Sequence, residues 1–459
     1  MRWLIIGAIG AIGISGRAWL ARTSCVVMLL ASLIATVRPA TNALAQGSQQ
    51  WFSAWTVSHN VRETAPALSN STVRMLVRPT ISGASLRIKL ENTLGQGPVA
   101  FSGAFIGVAD TGASLMPGTN TKLTFNGGPG LSLAPGAGAW SDPVALDVKA
   151  FRRLAVSLNV ASASDISTHT LGLATNYYAP GSLGSETSGG GFMPVPRRAA
   201  GTMVDAFPFY WLAAVDVLSP VVSGTIVAFG DSITDGRCST TENDVVLPDK
   251  YQRWLDVLAG RLSSRPAGEI KAIANAGIAG NRIVSGGNGP PGLDRLDRDV
   301  LERAGATHVI FFEGTNDIAG GATAAQVIAA SQQIIDRVHA KGLSIIGVTI
   351  IPRGRPALTG WSPDMEVQRV AVNAWIRTQA NFDAIIDFAS LLKGGPVYSG
   401  SESIKAEFNC DYTHPSAAGY KAMGEFIDLG LFRSSRRETA RASLEHGLTW
   451  HAADGARRK

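Results

Sequence analysis

The chain has 459 residues, 45% of them hydrophobic and 17% charged, which excludes a disordered or fibrous chain and leaves room for two or three domains. Its formal charge of +6 sits at the ends: residues 1–45 carry four arginines and no acid, and residues 433–459 carry seven basic and three acidic side chains. Each end is +4 and the stretch between them nets −2, so the body has no electrostatic footprint for DNA or RNA.

Arg17 and Arg22 precede an apolar run, residues 25–37 (CVVMLLASLIATV), and Ala43-Leu44-Ala45 follows as a small-x-small cleavage pattern. The run is short for a membrane span. Residues 1–45 therefore read as a signal peptide, and the mature chain as secreted or periplasmic, with no stable membrane association once the signal is removed. A second apolar run, residues 4–14, leaves an anchor open as the alternative. If Cys25 leaves with the signal, Cys238 and Cys410 remain, an even count in an oxidising compartment.

Residues 46–220 read as an all-β sandwich domain. Residues 72–77, 85–90, 100–108, 122–125 and 154–160 alternate or are rich in β-branched side chains, and Gly-, Asn- and Pro-containing turns separate them. Residues 179–201 are a Gly/Ser/Pro-rich loop, and residues 209–218 a closing strand. From 221 to 432 the pattern changes. Strands are expected at 226–229, 270–274, 308–312, 343–350 and 384–388, and helices at 251–262, 324–340, 367–379 and 417–429. Strands alternating with helices mean an α/β domain with a parallel sheet, and the apolar strands fit a sheet covered on both faces. Residues 433–459 read as a disordered basic tail.

Ligands of such sheets bind at the carboxyl ends of the strands. The polar residues there are Gly230-Asp231-Ser232, Asn275 to Asn281 with Gly280 among them, Glu313 to Asp317, and Asp411-Tyr412-Thr413-His414. These parts suit acyl transfer. A serine hydroxyl needs an adjacent base, which His414 supplies, and Asp411 can fix the imidazole's tautomer. The Ser232 and Gly280 N–H groups and the Asn316 amide form an oxyanion hole, and Gly280 lacks the Cβ that would hold a substrate off. Nothing in the sequence resembles a P-loop, an HExxH motif or a clustered metal site, so neither metal nor cofactor is expected.

VAFGDSITDG, NAGIAGNRI, EGTNDI and DYTHP stand in the order and spacing of the four blocks of the SGNH (GDSL) hydrolases. Over residues 223–432 the chain resembles that family. Ser232, Gly280, Asn316 and His414 match its name-giving residues and Asp411 its acid. The resemblance implies a flavodoxin-like three-layer fold and a metal-free esterase. Trp51, Trp55 and the stretch TVRMLVRPTISGASLRIKLENTLGQGPVAF resemble the N-terminal β-domain of a secreted, xylan-esterase-like subgroup.

Asp231, Asp235, Asp317 and Glu313 read as braces, Glu313 for the Asn316 loop. His308 and His339 read as structural, and His59, His169, His446 and His451 as exposed. Cys238 and Cys410 flank the catalytic edge, and a disulfide between them would pin the Asp411–His414 loop beside the nucleophile; two free thiols are the alternative. The expected function is a secreted serine esterase acting on a small-molecule or glycan ester, acetyl esters before others. A lipase or arylesterase, or a glycan-binding protein with an inactive hydrolase domain, are the alternatives.

Overall fold

The computed structural model describes residues 49–433 except 65–67, 196–197, 201–202, 244, 355 and 395–401. The expected signal, nearly all of the expected tail, and His446 and His451 lie outside the described residues. Among the described residues no helix is long and apolar enough to cross a membrane.

The first half is built of antiparallel strands. One sheet runs Gln50–Thr56, Leu212–Ser219, Gly83–Glu91, Gly138–Trp140, with Val144–Val148 also paired to Gly83–Glu91. The other runs Met193–Pro194, Tyr177–Pro180, Ser71–Val77, Leu154–Ala163, Val99–Val108, Thr121–Leu123, with Leu131–Leu133 beside Val99–Val108. Alternate side chains of both, such as Leu86, Ile88, Val215 and Val217 against Val73, Met75, Ile106 and Leu158, share one apolar core. A third small sheet joins Phe209–Tyr210, Ile166–His169 and Val61–Glu63.

Two sequence expectations need correcting here. The stretch 179–201 is not all loop, because Tyr177–Pro180 and Met193–Pro194 extend the second sheet. The expected strand 209–218 is two strands in two sheets, broken at Trp211, whose φ of 57° turns the chain while its ring stays fully buried.

The second half carries a parallel sheet of β1 (Val222–Gly230), β2 (Ile270–Gly277), β3 (Ala306–Phe312), β4 (Ser344–Val348) and β5 (Ala384–Ile386), in the order 2-1-3-4-5. The pleat sends Ile226 and Ala228 to one face and Val227 and Phe229 to the other. The first face packs on α1 (Trp254–Ser263) and α4 (Ala417–Phe426), the second on α2 (Ala324–Ala340) and α3 (Pro363–Thr378). Thr323 and Gln326 close a capping box on α2; Ser362 with Pro363 starts α3, and Ser416 caps α4.

The described residues form one compact unit. Strand β2 is the edge of the parallel sheet, and the antiparallel half covers it. Thr80 Oγ1 accepts from Ile273 N at 3.0 Å, and Thr56 Oγ1 donates to Asn275 O at 2.7 Å. Ser53 N donates to Ala304 O at 3.0 Å and Ala304 N to Ser53 Oγ at 3.1 Å. Beside them Gly305, with a φ of 65°, lies so close to Phe52 that a Cβ would clash with the ring.

Candidate active site

Every expected site residue except those on α4's loop follows a strand of the parallel sheet, at its carboxyl end. After β1 the chain makes one helical turn, Ser232–Asp235; the Asp231 side chain caps it by accepting from Ile233 N at 2.9 Å. Ser232 opens that turn, so its N–H has no acceptor within the helix. The Asp411–His414 loop precedes α4, and Cys410 N donates to His414 O at 3.0 Å. A Cys238–Cys410 disulfide, with Cα atoms 6.3 Å apart, joins this loop to the nucleophile turn.

Together these loops bring Ser232 Oγ to 2.8 Å from His414 Nε2. On the far side of the ring Nδ1 lies 2.8 Å from Asp411 Oδ2 and 3.0 Å from Oδ1. A carboxylate only accepts, so Nδ1 carries the proton and Nε2 is left to accept from the serine. Burial pushes the His414 pKa below the ordinary histidine value, with help from Arg237 and Arg353, against the pull of Asp411. Burial also works against the Asp411 charge, but His414 and the N–H groups of Thr413 and His414 win and hold the carboxyl below its usual range. At neutral pH the ring is thus an unprotonated base held by a charged acid.

Gly280 sits at a φ of 79°, open to glycine, and a Cβ there would meet the Asn288 amide. Asn288 clasps the turn: its N–H donates to Gly280 O at 3.1 Å and its Nδ2 to Ala279 O at 2.9 Å. The Asn316 amide donates to Asn281 O at 3.0 Å, which sets it beside the Gly280 turn and leaves its second N–H for another acceptor.

Beneath these loops lies a buried charge network. Arg295, fully buried, reaches Gly230 O at 3.0 Å, Ala276 O at 2.7 Å, Asn281 Oδ1 at 2.9 Å, Glu313 at 3.2 Å and Asp299 at 3.3 Å. One guanidinium so ties the ends of β1, β2 and β3. Burial and the neighbouring Asp231 push the Glu313 pKa well up, and burial lifts Asp231 from 3.8 to about 7.

Asp235 and Asp317 do brace loops: Asp235 accepts from Ala279 N, and Asp317 from Ile283 N and Val284 N. Glu313 departs from expectation, since its carboxyl meets Arg295 rather than the Asn316 loop. His59 and His169 were expected at the surface and are buried, at 1% and 2% exposure, because both lie where the two halves meet. Arg295 and Asn288 escaped the sequence reading; an arginine inside an apolar helix start (GLDRL) was the available signal for the first. Among the described residues, Cys238, Asp411 and His414 have the spacing of a metal cluster, but the sulfur is in the disulfide, so no thiolate is there to ligate.

Residues 228–422 match the model of the GDSL-like lipase/acylhydrolase family. No curated protein matches the chain. Similar solved structures include a GDSL-like lipase from Bacteroides thetaiotaomicron, 18% identical, covering 46% of this chain and 88% of that one at a TM-score of 0.35. A carbohydrate acetylesterase from Sinorhizobium meliloti is 18% identical, covering 44% and 94% at 0.35. A lipase/acylhydrolase from Enterococcus faecalis is 23% identical, covering 46% and 99% at 0.34. The matched segment spans the serine turn, the glycine turn, the asparagine and the Asp-x-x-His loop, so over residues 228–422 the chain is similar to the GDSL-like lipases and acylhydrolases, which marks it as a carboxylic ester hydrolase.

Proposed function

We propose that this chain is an exported serine esterase that removes short acyl groups, acetyl before longer chains, from small-molecule or carbohydrate esters. The observation that carries the serine mechanism is the continuous contact from Ser232 Oγ through His414 to Asp411. Ser232 Oγ attacks the ester carbonyl as His414 Nε2 takes its proton. The oxyanion is held by the Ser232 and Gly280 N–H groups and the free N–H of Asn316. His414 then gives the proton to the leaving alcohol, and water, deprotonated by the same ring, releases the acid from the acyl-enzyme.

The 2-1-3-4-5 strand order supports a flavodoxin-like sheet with its site at the switch point beside β1. Export rests on the signal-like residues 1–45, and the acyl preference on the resemblance to the esterase family taken together with that signal. Wild type and Ser232→Ala are compared on p-nitrophenyl acetate and octanoate. The alanine variant folds and loses ~10³-fold or more of kcat, and the acetate ester is turned over faster. Turnover that survives the substitution removes Ser232 as nucleophile; a preference for octanoate removes the short-acyl reading.

A further inference from the structure

The antiparallel half meets the catalytic machinery through a buried histidine. His169, in Ile166–His169, directs Nδ1 at Ser58 O, 2.7 Å away, and Nε2 at Asp235 Oδ1, 3.1 Å away. The other oxygen of that carboxylate accepts from Ala279 N at 2.9 Å, and Ala279 immediately precedes Gly280. A carbonyl only accepts and Nε2 faces a carboxylate, so the ring that satisfies both is doubly protonated. The surroundings agree: burial opposes the charge, but Asp235 prevails and raises the His169 pKa.

Two further contacts converge on the same turn. The Ala279 side chain packs in a small apolar cluster with Leu171, Leu173 and Phe207 of the antiparallel half. Arg253 bridges the halves, donating to Asp235 O at 2.6 Å and to Gly172 O at 2.9 Å. The oxyanion turn is therefore held between Asn288, from its own half, and a wall of residues 169–173 and 207 from the other.

We propose that His169 is a positioning residue for the reaction: through Asp235 and Ala279 it fixes where the Gly280 N–H points, so that the antiparallel region completes the oxyanion hole. This rests on the serine-esterase reading above. A glycan-binding appendage would have no reason to bury a histidine against the nucleophile turn. An N–H moved by about an ångström loses much of its hold on the oxyanion, while ground-state binding of a small ester changes little, so the effect falls on kcat.

The test compares wild type, Ser232→Ala, His169→Asn and His169→Gln in the full chain on p-nitrophenyl acetate. Rates of wild type and the two His169 variants are normalised to sites labelled to completion at serine by a fluorophosphonate, and Ser232→Ala, which cannot be labelled, to folded monomer recovered by size exclusion. Glutamine places an amide donor near the Nε2 position and keeps the Asp235 contact; asparagine is of similar polarity but reaches only the Nδ1 position. The expected result is a kcat lowered about 10- to 100-fold in His169→Asn, KM within about twofold, and most of the loss recovered in His169→Gln. Equal kcat in the two variants, or a loss shared by kcat and KM alike, overturns the proposal. An inactive wild type, or an active Ser232→Ala, instead overturns the esterase mechanism on which it stands.

Discussion

His414 can take the Ser232 proton only when its own Nε2 is unprotonated, so its pKa sets the acid limb of activity. Burial, with Arg237 and Arg353 behind it, lowers that pKa below 6.5 against the pull of Asp411. Activity measured as kcat/KM therefore rises with pH through an apparent pKa below 6.5 and levels off above it. Arg353→Gln removes a cation that disfavours the imidazolium, so the limb moves to higher pH; a profile from pH 4.5 to 9 reads the shift, and a limb that stays or moves down refutes this account of the base. Ser232, Gly280 and Asn316 were legible in the sequence because each stands in a short motif after a strand, and Asp411 and His414 because their motif leads into a helix. His59 and His169 were not, since a lone histidine carries no mark of which surface will be covered by another part of the chain.

Elements were legible where their punctuation was local. Residues 324–340 are helical over the expected span because Thr323, Gln326 and Gly342 mark both ends. The break at Trp211 and the strand Gln50–Thr56 were not, because both depend on distant partners: Tyr210 pairs with Thr168, Leu212 with Leu90, and Gln50–Thr56 with residues 214–219. The Cys238–Cys410 disulfide acts at this scale, since it closes a separation of 172 residues and fastens the Asp411–His414 loop to the nucleophile turn. Two weaker ties run beside it: Tyr420 Oη of α4 donates to Arg237 O at 2.7 Å, and Arg237 Nε faces Asp411 Oδ2 of the loop at 4.0 Å. Replacing both cysteines by alanine is expected to lower stability by about 2–4 kcal/mol and kcat by roughly tenfold, a misplacement effect. Urea unfolding and acetate turnover measure the two. Lost stability with unchanged kcat would show that the contacts of Arg237 with Tyr420 and Asp411 hold the base in place without the disulfide.

At the scale of the whole molecule, the expected boundary at residue 220 falls between strands Leu212–Ser219 and β1 with no linker between them. Backbone groups along the edge of β2 are met by Thr80 and Thr56 of the antiparallel half, and Val222 and Ala272 of the parallel sheet sit in the antiparallel core. An edge strand stripped of such cover presents unpaired N–H and C=O groups and bare apolar surface, which invites pairing with other chains. A fragment of residues 221–432 is therefore expected to aggregate or to melt without a cooperative transition, and residues 49–433 to melt as a single unit. Size-exclusion chromatography and thermal unfolding of the two decide it. A monomeric, cooperatively melting, fully active 221–432 fragment would refute the edge argument, and with it any part for His169 in placing the Gly280 turn. An inactive but monomeric and folded fragment would separate the two, removing the edge argument while leaving the antiparallel half necessary to the chemistry.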